Sequence, residues 1–438
     1  METLEQSHPR LAHTAALNAQ PAEPRATRVA FLLSQYPAVS HTFLLNEVLG
    51  LRARGMEIET VSINRPDRPF DKLPALERAE ARNTHYIKGG DWLRTLFTVL
   101  ATAFGHPAVV ARGLAAVLGL RGLPLRQRGR WLFYLAEALL VGRWMREQRL
   151  RHLHVHFGGA VASVGLLTSQ AWGLPYSLTI HGPEELLNVD AYQLRAKVQQ
   201  ASFVFCISDF CRSQLCQFTP PAQWSKFSVH RLGVDPVVLS PPYPLKHSGE
   251  GPLRVICTGR LVAAKGHHIL LQALDQLQQR GIELHTTLIG TGPELASLEA
   301  FVKSRGLGHN VVFTSALSHA ETLNLVRSAD IFVLASFAEG IPVALMEAMA
   351  FAVPCVATTI AGIPELIHSG QDGLLAAPSN VDALADAIES LVVDPDLRCY
   401  LGGAGRQRII RDYNLPLNHE RLAVSFQQLV ADAAEASR

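Results

Sequence analysis

The chain alternates short apolar runs with longer stretches of helical periodicity, pauses once, and then begins the same alternation again. Apolar runs at 28–33, 57–63, 152–156, 176–180 and 203–207 predict strands before the pause. Those at 253–258, 283–289, 310–313, 331–334 and 355–357 predict strands after it. Helical stretches fall between them, at 41–54, 160–172, 266–280, 293–304 and 381–393. Strands that are apolar throughout and alternate with helices belong to parallel sheets covered on both faces. The pause at 236–251 holds Pro241, Pro242, Pro244, Ser248 and Gly249, which is linker chemistry. At 438 residues the chain exceeds one compact core and suits two domains of about 200 residues. The expected fold is therefore α/β, with two Rossmann-like domains over 28–235 and 252–401 facing across a central cleft. Helices should follow over 402–438, with a crossing back to the first domain, and a disordered tail should occupy 1–27. Ligands of such sheets bind outside the carboxyl ends of the strands, so the strand-to-helix loops are where chemistry is expected.

Composition narrows the function classes. Hydrophobic residues make up 48% and charged residues 18%, which excludes a globally disordered chain. A formal net charge of +2 gives no electrostatic footprint for nucleic acid. The six cysteines contain no CxxC pair, so neither a zinc site nor a disulfide framework is indicated, and a reducing compartment is expected. Residues 1–28 lack the continuous apolar core of a signal peptide. The longest apolar stretch, 96–120, is broken by His106, Pro107 and Arg112 and falls short of a membrane span. Residues 92–151 form an insert rich in arginine (Arg112, Arg121, Arg126, Arg128, Arg130, Arg143) interleaved with Phe97, Trp131, Phe133 and Trp144. Two readings stand for it, ordinary helices with a solvated basic face or a segment lying on an anionic membrane surface; nucleic-acid binding ranks well below both, because no recognised module accompanies the charge.

Three ligand-end loops carry the chemistry. The strand at 331–334 leads into Ala338-Glu339-Gly340-Ile341-Pro342, and Glu347 follows within the next helix. Gly340 admits a phosphate close to the backbone, and the helix start at Pro342 offers N–H groups and dipole charge. Eight helical steps from Glu339 to Glu347 would span about 12 Å, the reach of a nucleotide sugar from hexose to ribose. The second loop, Gly259-Arg260-Leu261-Val262-Ala263-Ala264-Lys265-Gly266, brings two cations to the ends of the sheet. Arg260 and Lys265 can neutralise a departing diphosphate without a metal. The third loop, Gly290-Thr291-Gly292, has the small residues that a close ligand requires. The plainer reading of any one loop is ordinary capping and solvation; their agreement is what points to a site. His152, His154 and His156 alternate along one strand, and ordinary strand placement outweighs metal binding for them. Asp394-Pro395-Asp396 reads as a turn.

These motifs resemble the retaining family-4 glycosyltransferases of the GT-B fold, in their exopolysaccharide or colanic-acid-type branch. Glu339 with Glu347 matches the family's Glu-x7-Glu motif, and Gly259, Arg260, Lys265 and Gly266 match Gly-Arg-x4-Lys-Gly. His230 to Asp235 is similar to its inter-domain segment, Ser208-Asp209 to its Ser-Glu step, and the stretch ending Gly362-Ile363-Pro364-Glu365 to its Gly-Gly-x-Pro-Glu loop. Tyr36-Pro37, Ser40, Thr42, Phe43 and Glu47 resemble the branch's opening motif, which has Glu where this chain has His41.

The resemblance implies roles. Arg260 and Lys265 would bind the donor diphosphate, Glu339 the sugar and Glu347 the ribose. Gly259, Gly290, Gly292, Gly340, Ile341 and Pro342 would shape the donor site. His181, at the end of the strand 176–180, would lie near the anomeric carbon, with Ser40 and Thr42 on the acceptor side. The implied enzyme is a retaining glycosyltransferase using a UDP- or GDP-sugar and a glycan acceptor, lipid-linked in exopolysaccharide or envelope synthesis. No metal or other cofactor is expected, and no nucleic-acid partner. The expected location is the cytoplasm, peripheral on the inner face of the plasma membrane under the second reading of the insert. Rival readings are a nucleotide-sugar epimerase or hydrolase of the same fold, and a catalytically silent nucleotide- or membrane-binding scaffold.

Overall fold

The computed structural model describes residues 27–38, 42–90, 92–120, 122–241 and 251–436. The tail expected over 1–27 lies almost wholly outside them, as do Ser40, His41, Arg121 and most of the linker. The first domain runs β1 (Arg28–Gln35), α1 (Thr42–Arg52), β2 (Glu57–Asn64), α2 (Ala75–Asn83), β3 (His85–Tyr86), α3 (Trp92–Gly105), α4 (Pro107–Gly119) and α5 (Leu125–Glu147). It continues with β4 (Leu153–His156), α6 (Ala160–Trp172), β5 (Tyr176–Ile180), α7 (Glu184–Leu187), α8 (Leu194–Gln200), β6 (Val204–Cys206), α9 (Asp209–Phe218) and β7 (Phe227–Val229). Its seven strands are all parallel, in the order β3-β2-β1-β4-β5-β6-β7. The strand order reverses beside β1, which pairs β2 on one side and β4 on the other. Leu32 thus lies between Val61 and Val155.

The second domain runs β8 (Leu253–Thr258), α10 (His267–Gln279), β9 (Leu284–Ile289), α11 (Leu295–Ser304), β10 (Val311–Thr314), α12 (His319–Arg327) and β11 (Ile331–Leu334). It closes with α13 (Val343–Ala350), β12 (Cys355–Thr358), α14 (Ile363–Leu366), β13 (Leu374–Ala376), α15 (Val381–Val393) and α16 (Pro395–Asp412). Its six strands are also parallel, ordered β10-β9-β8-β11-β12-β13, with the reversal at β8. The central strands are buried on both faces, as their uninterrupted apolar runs demand. Two differences from the sequence reading are local. Pro293 stands before α11, which Glu294 caps. Asp394 accepts a hydrogen bond from Leu397 N and so starts a helix instead of forming a free turn.

The insert divides in two. Its last helix, α5, is core: Trp131, Leu135, Ala138, Leu139, Trp144 and Met145 are buried in the cluster that also takes in α6. Here the plain reading of the insert holds. The two helices before it present large apolar side chains outward, with Trp92 70%, Phe97 72% and Phe104 84% exposed. They are bent at 102° to one another, and among the described residues no single helix is long and apolar enough to cross a membrane.

The chain passes between domains twice, side by side. Val234 N donates to Tyr413 O at 3.0 Å and Leu415 N to Val234 O at 3.0 Å. Beyond that pair, α17 (Leu415–Ala436) returns to the first domain and packs on α1, where Phe426 meets Phe31 and Phe205. The polar loops that follow the strands of both sheets face one another across the cleft.

Candidate functional site

The second-domain loops knit together through their backbones. Gly259 N donates to Ile289 O at 3.0 Å, Leu261 N to Thr291 O at 2.9 Å, and Phe337 N to Ala264 O at 2.8 Å. Gly290 adopts φ +148°, and a β-carbon there would collide with the Gly259 carbonyl. Its smallness, like that of Gly292 against the Leu261 backbone, serves loop-on-loop packing. The framework brings Lys265 Nζ to 2.6 Å from Glu339 Oε1, and Ser336 Oγ donates to the same oxygen at 2.7 Å. Ser336 is held in turn by its carbonyl, which accepts from Thr358 Oγ1 at 2.6 Å. Lys265 and Glu339 side chains are only 20% and 9% exposed, so this is a largely desolvated ion pair at the strand ends. Arg260 is exposed at the rim of the same loop.

Glu347 lies one step further along. Pro342 caps α13, so only the segment from Val343 onward is helical, and the straight rise of about 12 Å expected from Glu339 to Glu347 does not describe the pair. Ile341 is buried in the core beneath the loop. The Glu347 carboxylate is 2.7 Å from His319 Nε2, and that contact holds the His319 imidazole above its usual range despite partial burial. His319 follows a legible capping box, Ser318 with Glu321, but nothing in the sequence ties it to a glutamate 28 residues away.

On the first-domain side, His181 directly follows β5 and is buried. Its ring lies against Phe43 and Phe157, at centroid distances of 5.1 and 4.5 Å. A β-carbon at Gly340 would collide with the His181 carbonyl and approach Ile207 Cδ1 to 2.9 Å. Gly340 thus lets the two domains come together at this point. Thr42 opens α1, one residue before Phe43, and is half-buried; Ser40 falls outside the described residues. Closure is fastened nearby by Glu365, which accepts from Asp209 N at 2.9 Å and Phe210 N at 2.7 Å at the start of α9. Arg231 bridges Glu365 and Asp209.

Two features behind His181 were not assigned from sequence. His156 Nδ1 is 3.2 Å from His181 Nε2, and His156 Nε2 is 3.4 Å from Glu47 Oε1. Glu47 shares the inward face of α1 with Leu44, Val48 and Leu51, a phase that the apolar spacing already set. Burial pushes its carboxyl up to about 8. Glu47, His154 and His156 are the one group among the described residues whose geometry could hold a metal. However, both His154 ring nitrogens are engaged, by Ser177 Oγ at 2.8 Å and Thr179 Oγ1 at 2.9 Å. His152 likewise bonds Ser177. His154 on β4 and His152 just before it are core groups that burial keeps neutral.

Comparison with known proteins agrees with the two-domain fold. The family described as Glycosyltransferase Family 4 matches residues 41–238, and Glycosyl transferases group 1 matches 246–408. The chain is 26% identical over 423 residues to the putative colanic acid biosynthesis glycosyltransferase WcaL of Escherichia coli, covering 92% of this chain and all of that one. It is also 26% identical over 421 residues to the amylovoran biosynthesis glycosyltransferase AmsK of Erwinia amylovora, again covering 92% and 100%. Among solved structures, Anabaena Alr3699/HepE in complex with UDP-glucose superposes with a TM-score of 0.68 at 17% identity, over 92% of this chain and 99% of that one. The shared architecture is the two-domain GT-B fold.

Proposed function

The chain belongs to the glycosyltransferases that join a family 4 domain to a group 1 domain, and we propose that it is a metal-independent, retaining enzyme of exopolysaccharide or envelope polysaccharide synthesis. It would move a sugar from a UDP- or GDP-sugar to a lipid-linked glycan acceptor. The observation that carries this reading is the Lys265–Glu339 pair, held at the strand ends directly beside the point where Gly340 meets His181. Lys265 and Arg260 neutralise the diphosphate as it leaves, a role that fixed cations fill as well as a metal does. Lys265 is charge-balanced by Glu339 before the donor arrives, so donor binding re-divides its hydrogen bonds between phosphate and carboxylate. Glu339 then turns to the sugar hydroxyls, and Glu347, steadied by His319, to the ribose. The acceptor enters from the side of α1 and His181, and closure of the cleft keeps water from the reacting carbon. Front-face attack leaves the departing phosphate to assist deprotonation of the acceptor, so no side chain is assigned as a covalent nucleophile. The outward Trp92, Phe97 and Phe104, with Arg112, Arg126 and Arg130 exposed nearby in sequence, suit the inner face of an anionic membrane, where such acceptors reside.

The test is a panel of UDP- and GDP-sugars, with donor hydrolysis and transfer to lipid-extract acceptors followed by NMR of the new anomeric centre. Retention with undiminished activity in EDTA is expected. Inversion, or loss in EDTA reversed by manganese, would overturn the proposal.

A further inference from the structure

Two charged side chains of the first domain, Glu185 on α7 and Lys197 on α8, are buried at 6% and 1% exposure and take no part in donor binding as proposed above. Their side chains bond to main-chain groups of the two loops that follow β4 and β5. Glu185 Oε1 accepts from Gly158 N at 3.3 Å and from Gly182 N at 3.2 Å. Lys197 Nζ donates to Gly158 O at 2.8 Å and to Gly159 O at 2.7 Å. Gly158 is thus gripped on both sides, its N–H by the carboxylate and its C=O by the ammonium. The position has no room for a side chain, since a β-carbon there would lie 2.7 Å from Leu194 Cδ1 and 3.3 Å from Glu185 Cβ and Cγ. The Glu185 charge favours the Lys197 ammonium against the cost of its burial. Buried charges of opposite sign compare poorly with apolar packing as a source of net stability. What these two supply beyond packing is a fixed direction for each main-chain group they hold.

That direction matters at Gly182. The peptide joining His181 to Gly182 is trans, so its N–H and its C=O point to opposite sides. The N–H is turned to the buried Glu185, and the His181 carbonyl is therefore turned the other way. It is against this carbonyl that Gly340 of the second domain packs. We infer that Glu185, anchored through Gly158 by Lys197, is a positioning residue that sets the His181–Gly182 peptide as the seat on which the second domain closes. Its bearing on turnover rests on the transfer reading proposed above; its bearing on closure does not.

Closure has a reporter that needs no donor. Asp209 N and Phe210 N donate across the cleft to Glu365, and their exchange with solvent measures how often that contact opens. Exchange in the full-length protein is followed by NMR with ¹⁵N-glycine for Gly158 and Gly182, and by mass spectrometry with residue-level fragmentation for Asp209 and Phe210. Glu185→Asp keeps the charge but withdraws the oxygen by one methylene. It should speed exchange about tenfold at Gly182, at Asp209 and at Phe210, the change expected when an amide gives up a charged acceptor. Lys197→Met should do the same at Gly158 and at the two reporters. Glu185→Gln keeps an oxygen in place and should exchange more slowly than Glu185→Asp at every one of these amides. Leu178 N, which bonds to Phe203 O within the sheet of the same domain, should be unaffected in all three variants. Reporters unmoved while Gly182 is freed overturn the inference, and so does Gly182 exchanging alike in wild type and Glu185→Asp. Equal acceleration at Leu178 also overturns it, because the role would then be general stability. If turnover is found, kcat should fall about tenfold in Glu185→Asp with donor KM within a few-fold, and wild-type kcat there counts against the seat. A donor panel without turnover would remove the transferase reading and leave the exchange results to decide.

Discussion

The Lys265–Glu339 pair makes a prediction that separates structural from catalytic work. Lys265→Met leaves the Glu339 carboxylate, 9% exposed, with the Ser336 hydroxyl but without its cation. Breaking one side of a buried ion pair costs about 3–5 kcal/mol, and because Lys265 is 20% exposed the low end applies. Glu339→Gln keeps an acceptor oxygen for both Lys265 and Ser336 but strands the ammonium, for about 1–2 kcal/mol. The double variant removes both charges and should cost about 1 kcal/mol, because no uncompensated charge remains. The coupling is therefore about 3 kcal/mol. At about 2–4 °C per kcal/mol for a domain of this size, Lys265→Met should lower the melting temperature of the second domain by about 6–12 °C. The double variant should recover most of that. Calorimetry on the four proteins gives the cycle, while donor turnover should stay orders of magnitude down in all three variants. Single effects that simply add in the double variant would refute the pairing, and turnover returning along with stability would refute the donor role of Lys265.

Gly340→Ala sets a β-carbon against the His181 carbonyl and should hold the cleft open. Donor affinity by calorimetry should stay within a few-fold while kcat falls at least tenfold, and an unchanged kcat would mean that closure there is immaterial. Glu347 raises His319 above its unfolded value, so stability from their contact is present below about pH 6.5 and lost as pH rises through the raised value. Urea unfolding should therefore distinguish Glu347→Gln from wild type at pH 6 and not at pH 9.5, and donor affinity should weaken in the same variant. Replacing Phe97 and Phe104 with Ser removes two outward aromatics worth about 1.5 kcal/mol each on burial. Co-sedimentation with anionic vesicles should weaken about 100-fold, and equal partitioning of variant and wild type would leave α3 and α4 without a membrane role.

Much of the framework was legible because strand and helix limits are set locally. α6, β5, β8, β11 and α15 begin and end where the apolar periodicity does. Of the strands of two or three residues, β6 was legible because Phe203 and Ile207 extend its apolar run, whereas β3, β7 and β13 carry too little pattern to be read and owe their existence to the neighbour they pair with. The loops holding Arg260, Lys265 and Glu339 were legible by position, since each follows a recognisable strand. Their mutual contacts were not. Lys265 and Glu339 are 74 residues apart, and Asp209 meets Glu365 at a separation of 156. One demand on Gly290, Gly292 and Gly340 was not legible: the backbone of another loop, or for Gly340 of the other domain, lies where a β-carbon would stand, a cause with no local signature. Glu47 was the reverse case, a charged residue on a face whose apolar phase already marked it as inward.

The paired crossings at Val234 and Tyr413–Leu415 determine what kind of motion the cleft can make. A single strand of chain between two bodies is a tether, free to twist, swing and stretch. Two strands hydrogen-bonded side by side act like the two knuckles of a door: twisting would shear the Val234–Tyr413 and Leu415–Val234 bonds, so only rotation about the line through them is cheap. Rotation about that line would bring Gly340 back to the same carbonyl and Glu365 to the same pair of amides. The α17 helix, which carries none of the residues proposed to bind the donor, would thereby take part in the alignment of the reaction. Detaching it would cost the enzyme accuracy of approach before it cost affinity.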